Sequence, residues 1–205
     1  MSVKIKYPLW LVVQWILAPC LQRMIRSKVC KTFTVDRTGR WLDIGCGPRS
    51  LVARTLPGTL VAIDSVAEML PSTQRDFTIC ACANAVALPF TSGSFDGVFC
   101  FGLLHHLKED EVELVLAEMQ RVARPGGSIL LLDSVRPHSI LRRPFAAFLR
   151  ALDRGSYVRT EDALRGLLNR RGFRIGPRFT YSWTGLEGCW ARFNNNGRKS
   201  HRLPL

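Results

Sequence analysis

Between residues 41 and 133 the chain alternates short apolar runs with helical or polar segments, and few folds accept that alternation. The apolar runs occupy residues 41–44, 60–63, 78–81, 97–101 and 128–133. Nearly continuous apolar runs are typical of strands that helices cover on both faces. A helical pattern over Glu109–Val122, acidic in its first turn, and a breaking segment RPGG separate the last two runs. The alternation predicts an α/β fold with a doubly wound, Rossmann-like and mostly parallel sheet.

The C-terminal third predicts a different arrangement. Thr160 is placed as a helix N-cap, acidic residues follow it, and Gly172 closes the helix. Two strand-like runs, 174–181 and 187–193, predict an antiparallel hairpin at the end of the sheet. We therefore expect a helical cap over residues 1–40, a main domain over 41–193 with a helical lid at about 137–158, and a disordered basic tail over 194–205.

The chain has 205 residues and a formal net charge of +13 that is unevenly placed. The first 40 residues carry +7, residues 41–135 carry −5, and residues 136–205 carry +11. Basic flanks around an acidic middle indicate an anionic partner, such as a membrane surface, a nucleic acid or an acidic substrate. A solvated basic surface is the alternative, because net charge governs solubility and steering rather than chemistry.

An apolar run over residues 9–21 contains Trp10 and Trp15 and precedes the basic segment RMIRSKVCK. It is shorter than the roughly 20 residues that a transmembrane helix needs, and no signal-peptide cleavage site follows it. It fits a helix in a membrane interface or a helix packed over the core.

The seven cysteines lack zinc-ligand spacing, so we expect no metal and buried, reduced thiols. These features predict a cytoplasmic protein, with peripheral membrane contact as an open alternative.

The turn GCGPRS after the first apolar run carries two glycines, Gly45 and Gly47. A pyrophosphate ligand would favour a third glycine, but Arg49 stands there. Asp43 adds a negative charge, which disfavours phosphate and suits an ammonium group. Asp64 ends the second run, where a carboxylate can accept hydrogen bonds from both hydroxyls of a ribose. The residues predict a ligand with ribose, adenine and an amino-acid end, and S-adenosylmethionine (SAM) is such a ligand.

Four motifs follow one another along the chain: LDIGCG, VAIDSVAEML, NAVALPFTSGSFDGVFCFGLLHHL and RVARPGGSILLLD. Together they resemble the motifs of the class I SAM-dependent methyltransferases. The resemblance is specifically to the methyltransferase type 11, ubiquinone/menaquinone-biosynthesis-like group, and it covers residues 41–135. It implies a SAM-binding methyltransferase domain, with S-adenosylhomocysteine (SAH) as product.

The resemblance also implies which residues hold the cofactor. The glycine turn would lie near the methionine end, the second strand end near the ribose, and the third and fourth strand ends near the adenine and along the cofactor. Asn84 stands where the family commonly has an aspartate, and its amide oxygen can still accept the bond from the adenine amino group. The cofactor-binding residues so implied are Asp43, Gly45, Cys46, Gly47, Asp64, Ser65, Asn84, Ala85, Phe101 and Gly102.

Two histidines and an aspartate are candidates for the catalytic role. His105 and His106 follow the fourth run, and either could act as general base or have a structural role, since the pair is common in the group. Asp133 ends the fifth run at the same rim and could orient a substrate or cap the next turn. His138 and Tyr157 lie where relatives cover the active site, which makes them candidate substrate contacts.

The expected function is methyl transfer from SAM to a small-molecule or lipid-like acceptor. Oxygen, nitrogen and carbon acceptors all occur on this fold, so the acceptor atom stays open, as does the oligomeric state. One alternative is an RNA methyltransferase, which the basic flanks favour, although no Pro-Pro-Tyr type motif follows the fourth run. The other is a catalytically silent SAM-fold binding protein, which the departures at Arg49 and Asn84 motivate.

Overall fold

The computed structural model describes seven stretches of the chain: residues 22–31, 38–48, 50–53, 55–70, 78–136, 156–181 and 186–196. Several sequence predictions concern residues outside them. These are the third-glycine position at Arg49, the candidate substrate contact His138, most of the lid, the apolar run over 9–21 and the tail from residue 197.

The described elements follow the order that the sequence predicts. The helices are α1 (22–31), α2 (Glu109–Val122) and α3 (Glu161–Arg170), with short 3-10 turns at Ala67–Met69 and Leu104–His106. The strands are β1 (Gly39–Ile44), β2 (Gly58–Asp64), β3 (Thr78–Cys82), β4 (Phe95–Phe101), β5 (Ala123–Val135), β6 (Arg174–Tyr181) and β7 (Leu186–Asn194). The Thr160 hydroxyl accepts a hydrogen bond from the Ala163 amide at 3.3 Å, which confirms the predicted N-cap of α3.

The seven strands form one sheet of order β3-β2-β1-β4-β5-β7-β6. The pairs among β1 to β5 are parallel, whereas β7 runs antiparallel to both β5 and β6. The predicted mostly parallel sheet with an antiparallel C-terminal hairpin is confirmed. Strand order reverses between β1 and β4, and ligands of open α/β sheets bind in the crevice at such a point, beyond the carboxyl ends of the strands.

Apolar cores cover both faces of the sheet. On one face α2 contributes Val115 and Leu116, and α3 contributes Leu167. On the other face α1 packs through Ile25 and Val29, which are fully buried. The two-sided coverage explains why the parallel strands read as continuous apolar runs rather than as alternating ones.

Strand β5 begins five residues earlier than expected, because the RPGG segment continues the sheet instead of breaking the chain. The Gly126 amide donates to the Asn195 carbonyl at 2.6 Å, and the Asn195 amide donates to the Gly127 carbonyl at 2.9 Å. The Asn195 side chain also donates to the Ala123 carbonyl at 2.8 Å. The predicted start of the disordered tail at residue 194 is therefore wrong: β7 includes Asn194, and Asn195 is held by the start of β5.

The expectation of buried thiols holds for only half of the described cysteines. All six are free thiols; Cys46, Cys100 and Cys189 are buried, whereas Cys80 is half-buried and Cys30 and Cys82 are exposed. Within the described ranges no group of metal-ligating side chains is assembled. No helix in these ranges has the length and apolar character needed to cross a membrane.

Candidate active site

The glycine turn is held against the end of β2. The Gly45 and Cys46 amides both donate to the Ile63 carbonyl, at 2.9 and 3.0 Å. Gly45 and Gly47 have φ angles of +70° and +60°, in the left-handed region that side chains rarely adopt. A Cβ on Gly45 would lie 3.2 Å from Leu103, whereas one on Gly47 would meet no atom within 4 Å. The turn therefore packs on the chain after β4 at Gly45 and faces open space at Gly47.

Asp64 joins this turn to the end of β2. One carboxylate oxygen accepts the Gly47 amide at 3.1 Å, and the other accepts the Val66 amide at 3.0 Å. The two bonds fix the plane of the carboxylate, and each oxygen has a second lone pair. A fixed carboxylate with two accepting oxygens beside an open glycine fits the two hydroxyls of a ribose. The residues present therefore suit the SAM nucleoside, as the sequence predicts.

Asp43 lies beneath the turn and is 2% exposed. The Ser50 hydroxyl donates to its carboxylate at 2.6 Å. Burial raises the pKa of Asp43 to about 6; the Ser50 bond opposes this rise, and the negative charge of Asp64 adds to it. Ser50 belongs to the quoted glycine turn, but sequence reasoning gave it no role, because its bond to Asp43 forms only when the turn folds back on β1.

The segment after β3 carries Asn84 and Ala85. The Asn84 side-chain oxygen accepts the Val86 amide at 3.1 Å, and its backbone carbonyl accepts the Ala87 amide at 3.2 Å. These bonds form an Asx-type turn that leaves Asn84 exposed, while Ala85 is half-buried. The side-chain oxygen keeps one lone pair for a ligand, so the predicted contact with an adenine amino group stays a prediction.

Two predicted cofactor residues have packing roles of their own. Phe101 lies on the α1 face, with its ring centroid 5.9 Å from that of Phe99 and 6.0 Å from that of Trp190. Cys46 is buried, and burial together with Asp43 and Asp64 raises the pKa of its thiol, so it stays protonated. Ser65 is exposed next to Asp64.

The structure separates the two neighbouring histidines. His105 is 6% exposed, and its Nδ1 lies 2.5 Å from Oδ1 of Asp133, which is 1% exposed. His106 is exposed, and its ring centroid lies 4.2 Å from that of His105. The Cε1 edge of His105 faces Gly102, where a Cβ would lie 3.7 Å away. The buried imidazole is thus held at the carboxyl end of β4, next to a predicted cofactor residue.

The hydrogen bonds of Asp133 indicate which nitrogen of His105 carries the proton. Oδ1 also accepts the Ser134 amide at 2.6 Å, so it acts as an acceptor. Nδ1 of His105 must then be the donor, which leaves Nε2 of the neutral ring as the nitrogen that can accept a proton. Asp133 Oδ2 is buried and has no hydrogen-bond partner among the described residues.

Arg159 holds the turn that carries both histidines. Its guanidinium donates to the carbonyls of Leu104 and Leu107, both at 2.8 Å, and so spans the 3-10 turn from end to end. The amide of Tyr157 donates to the His105 carbonyl at 3.0 Å, and the Tyr157 side chain is 40% exposed. Sequence reasoning missed Arg159, because nothing local to it signals a contact with carbonyls more than 50 residues away.

Comparison with known proteins identifies the family. A family model described as "Methyltransferase domain" matches residues 42–131. The ubiquinone/menaquinone biosynthesis C-methyltransferase UbiE of Hahella chejuensis is 32% identical in a 175-residue alignment that covers 71% of this chain and 69% of that protein. The chain belongs to the class I SAM-dependent methyltransferases, in the type 11 group.

Two further similarities concern one curated relative and one solved structure. The O-methyltransferase cnsE of Penicillium expansum is 28% identical in a 149-residue alignment that covers 65% of this chain and 51% of that one. The solved 1,6-didemethyltoxoflavin-N1-methyltransferase of Burkholderia thailandensis has the same fold, with a TM-score of 0.64 at 17% identity over 85% of this chain and 77% of that one. The chain spans 44% of the length of one curated relative, a fission-yeast methyltransferase, and 75% of another, a cyanobacterial one.

In this methyltransferase we expect Asp43→Asn to stabilise the apo protein. The pKa of Asp43 is about 6 in the folded protein and 3.8 in the unfolded chain. The stability that protonated Asp43 contributes is therefore fully present below pH 3.8 and is lost as the pH rises through about 6. At about pH 7.5 the neutral amide should recover up to about 3 kcal/mol of unfolding free energy, measured by urea denaturation. At about pH 4 the two proteins should differ little, and an equal difference at both pH values would contradict the assignment.

We expect Arg159→Gln to lower methyltransferase turnover by roughly tenfold while leaving SAH affinity within about twofold, because losing two carbonyl contacts displaces the histidine turn by a fraction of an ångström. Steady-state kinetics and calorimetry measure the two effects. Arg165→Gln is the matched control, since Arg165 binds Glu161 and the Gly176 carbonyl away from the histidines. Equal losses in both variants would indicate a general loss of stability instead.

Proposed function

We propose that this chain transfers the methyl group of SAM to a small-molecule or lipid-like acceptor, and that His105 removes the proton from that acceptor. The observation that carries the proposal is the buried His105–Asp133 pair at the end of β4, beside the strand ends that hold the glycine turn and Asp64. A buried carboxylate that fixes the tautomer of an imidazole is the arrangement found in histidine general bases.

SAM supplies an activated methyl group on its sulfonium, so the chain's own residues have to bind, orient and deprotonate. Asp64 would hold the ribose hydroxyls, and Asp43 would offset the charge of the amino-acid end. His105 would accept a proton at Nε2, while Asp133 stabilises the resulting imidazolium through Nδ1. The unpartnered Oδ2 of Asp133 would accept a hydrogen bond from a polar group of the acceptor.

The acceptor is proposed only as a class. The names of the relatives include C-, O- and N-methyltransferases, which supports a small organic acceptor without fixing the acceptor atom. Tyr157, His138 and Ser65 stay candidate contacts around the acceptor and the adenine. Cytoplasmic location and contact with an anionic membrane also stay proposals; the latter is supported by the exposed basic residues of α1, which include Arg23 and Lys31.

Two successive measurements test the function. Calorimetry with SAM and SAH should show binding. Absence of binding at high micromolar concentrations of the cofactor would overturn the proposal that the chain is an enzyme. A SAM-consumption screen over quinols, phenols, amines and fatty acids should then find an acceptor. Binding without consumption of SAM by any compound would favour the silent binding protein, and consumption only with RNA would favour the RNA methyltransferase.

A further inference from the structure

A groove of ≈1150 Å³ lies at the sheet edge opposite the glycine turn, where β4 and β5 begin and β7 ends. No Asp or Glu side chain lines it in the part of the chain that the structure describes. The lining residues that matter here are Arg121, Arg171, Arg174, Arg192, Asn194 and Asn196. We propose that this groove binds single-stranded nucleic acid through its phosphates, with little regard to sequence.

The positive charge of the groove comes from a pair of arginines on the hairpin. Arg174 on β6 is directly opposite Arg192 on β7, and both side chains are exposed. Like charges at opposed positions destabilise an antiparallel pair. Within the described ranges neither arginine lies in an ion pair, whereas Arg121 is neutralised by Glu118 and Arg171 by Glu113. A phosphate between the two guanidiniums would remove the repulsion.

The groove also provides the hydrogen bonds that orient such a contact. Arg192 donates through Nε to the side-chain oxygen of Asn194 at 2.8 Å, a bond that fixes the plane of the guanidinium and uses only one of its nitrogens. A planar guanidinium can bind two phosphate oxygens at once. The amide groups of Asn194 and Asn196 add donors of the type that contact phosphate and sugar oxygens.

The sequence after the groove favours a polymer over a single anion. Asn196 is followed by GRKSHR, whose cations Arg198, Lys199 and Arg202 extend the positive charge along the chain. A bilayer presents a flat surface, whereas a concave groove suits a strand that carries one phosphate per nucleotide.

The proposed site is separate from the cofactor turn and does not depend on the proposed methyl transfer. Strand β4 joins the two edges, and its seven residues span about 20 Å. A nucleic-acid strand bound in the groove would therefore lie away from His105. Its role would be to tether the protein to nucleic acid rather than to present a methyl acceptor.

Fluorescence anisotropy of the full chain with labelled oligouridine of about 15 nucleotides tests the proposal. The groove variant is Arg174→Gln with Arg192→Gln. The matched control is Arg23→Gln with Lys31→Gln on α1, which removes the same charge at exposed positions outside the groove. We expect the groove variant to bind about tenfold or more weakly at low salt, and its salt slope to fall by about 0.7, since the arginine pair shares one phosphate and each phosphate contact on a single strand contributes about 0.7.

Three outcomes overturn the proposal. Absence of oligouridine binding by the wild-type chain at low salt is the first. An equal loss in the α1 control is the second, because it would mean attraction by net charge alone. The third is binding to vesicles of phosphatidylcholine and phosphatidylglycerol that requires the arginine pair, without binding to oligouridine, which would assign the groove to a membrane. A variant that keeps the charge, Arg174→Lys with Arg192→Lys, should retain most of the salt slope.

Discussion

Asp64→Ala is expected to weaken SAH binding by at least about a hundredfold. Each hydrogen bond to a charged group contributes about 1.5–3 kcal/mol, and the carboxylate is expected to accept two from the ribose. The change also releases the Gly47 and Val66 amides, which Asp64 holds at 3.1 and 3.0 Å. The turn that receives the ligand then loses its fixed shape, which adds to the loss. Isothermal titration calorimetry with SAH measures the affinity directly.

Two comparisons make the Asp64 result interpretable. Asp110→Ala removes the same charge from an exposed site on α2 and should leave SAH affinity within about twofold. Asp64→Asn keeps one accepting oxygen but turns an NH₂ group towards a backbone amide, so its affinity should fall between those of the wild type and Asp64→Ala. Unchanged affinity in Asp64→Ala would mean that the ribose does not bind at the end of β2.

The elements that sequence reasoning placed correctly are those whose signal is local. The first five strands follow from short apolar runs, and Asp64 and Gly47 follow from their positions at the ends of β2 and β1. A strand end is a local property, and the parallel pairing of β1 with β2 and of β1 with β4 then brings those ends to one edge. The sheet edge at which the predicted cofactor residues meet could therefore be predicted without coordinates.

The features that sequence reasoning missed depend on partners distant in the chain. The RPGG segment looks like a break, yet it becomes strand because Asn195, about 70 residues later, supplies the hydrogen bonds. Arg159 gains its role from two carbonyls across a segment of more than 50 residues. Which of the two adjacent histidines is buried is not encoded locally either. The buried one, His105, is the one that pairs with Asp133 on β5.

The second large effect is expected at that histidine. His105→Gln should lower turnover on the acceptor found by the screen by between about 10²- and 10⁴-fold, the usual contribution of a general base. SAH affinity should change by less than about twofold, because the loss concerns proton removal rather than cofactor binding. His106→Gln changes the exposed neighbour in the same turn and serves as the matched control, with turnover expected within about threefold of wild type.

Asp133→Asn separates the chemical role of this pair from a packing role. The asparagine oxygen can take the place of Oδ1 and keep both the Ser134 amide and Nδ1 of His105, so the change removes the negative charge that would stabilise the imidazolium and puts an NH₂ group at the buried Oδ2 position. Turnover should fall by at least about tenfold, and the rise of rate with pH that reports deprotonation of the base should be displaced. A purely structural pair would lower the melting temperature without moving that rise. A loss of turnover in His106→Gln but not in His105→Gln would assign the base to the exposed histidine.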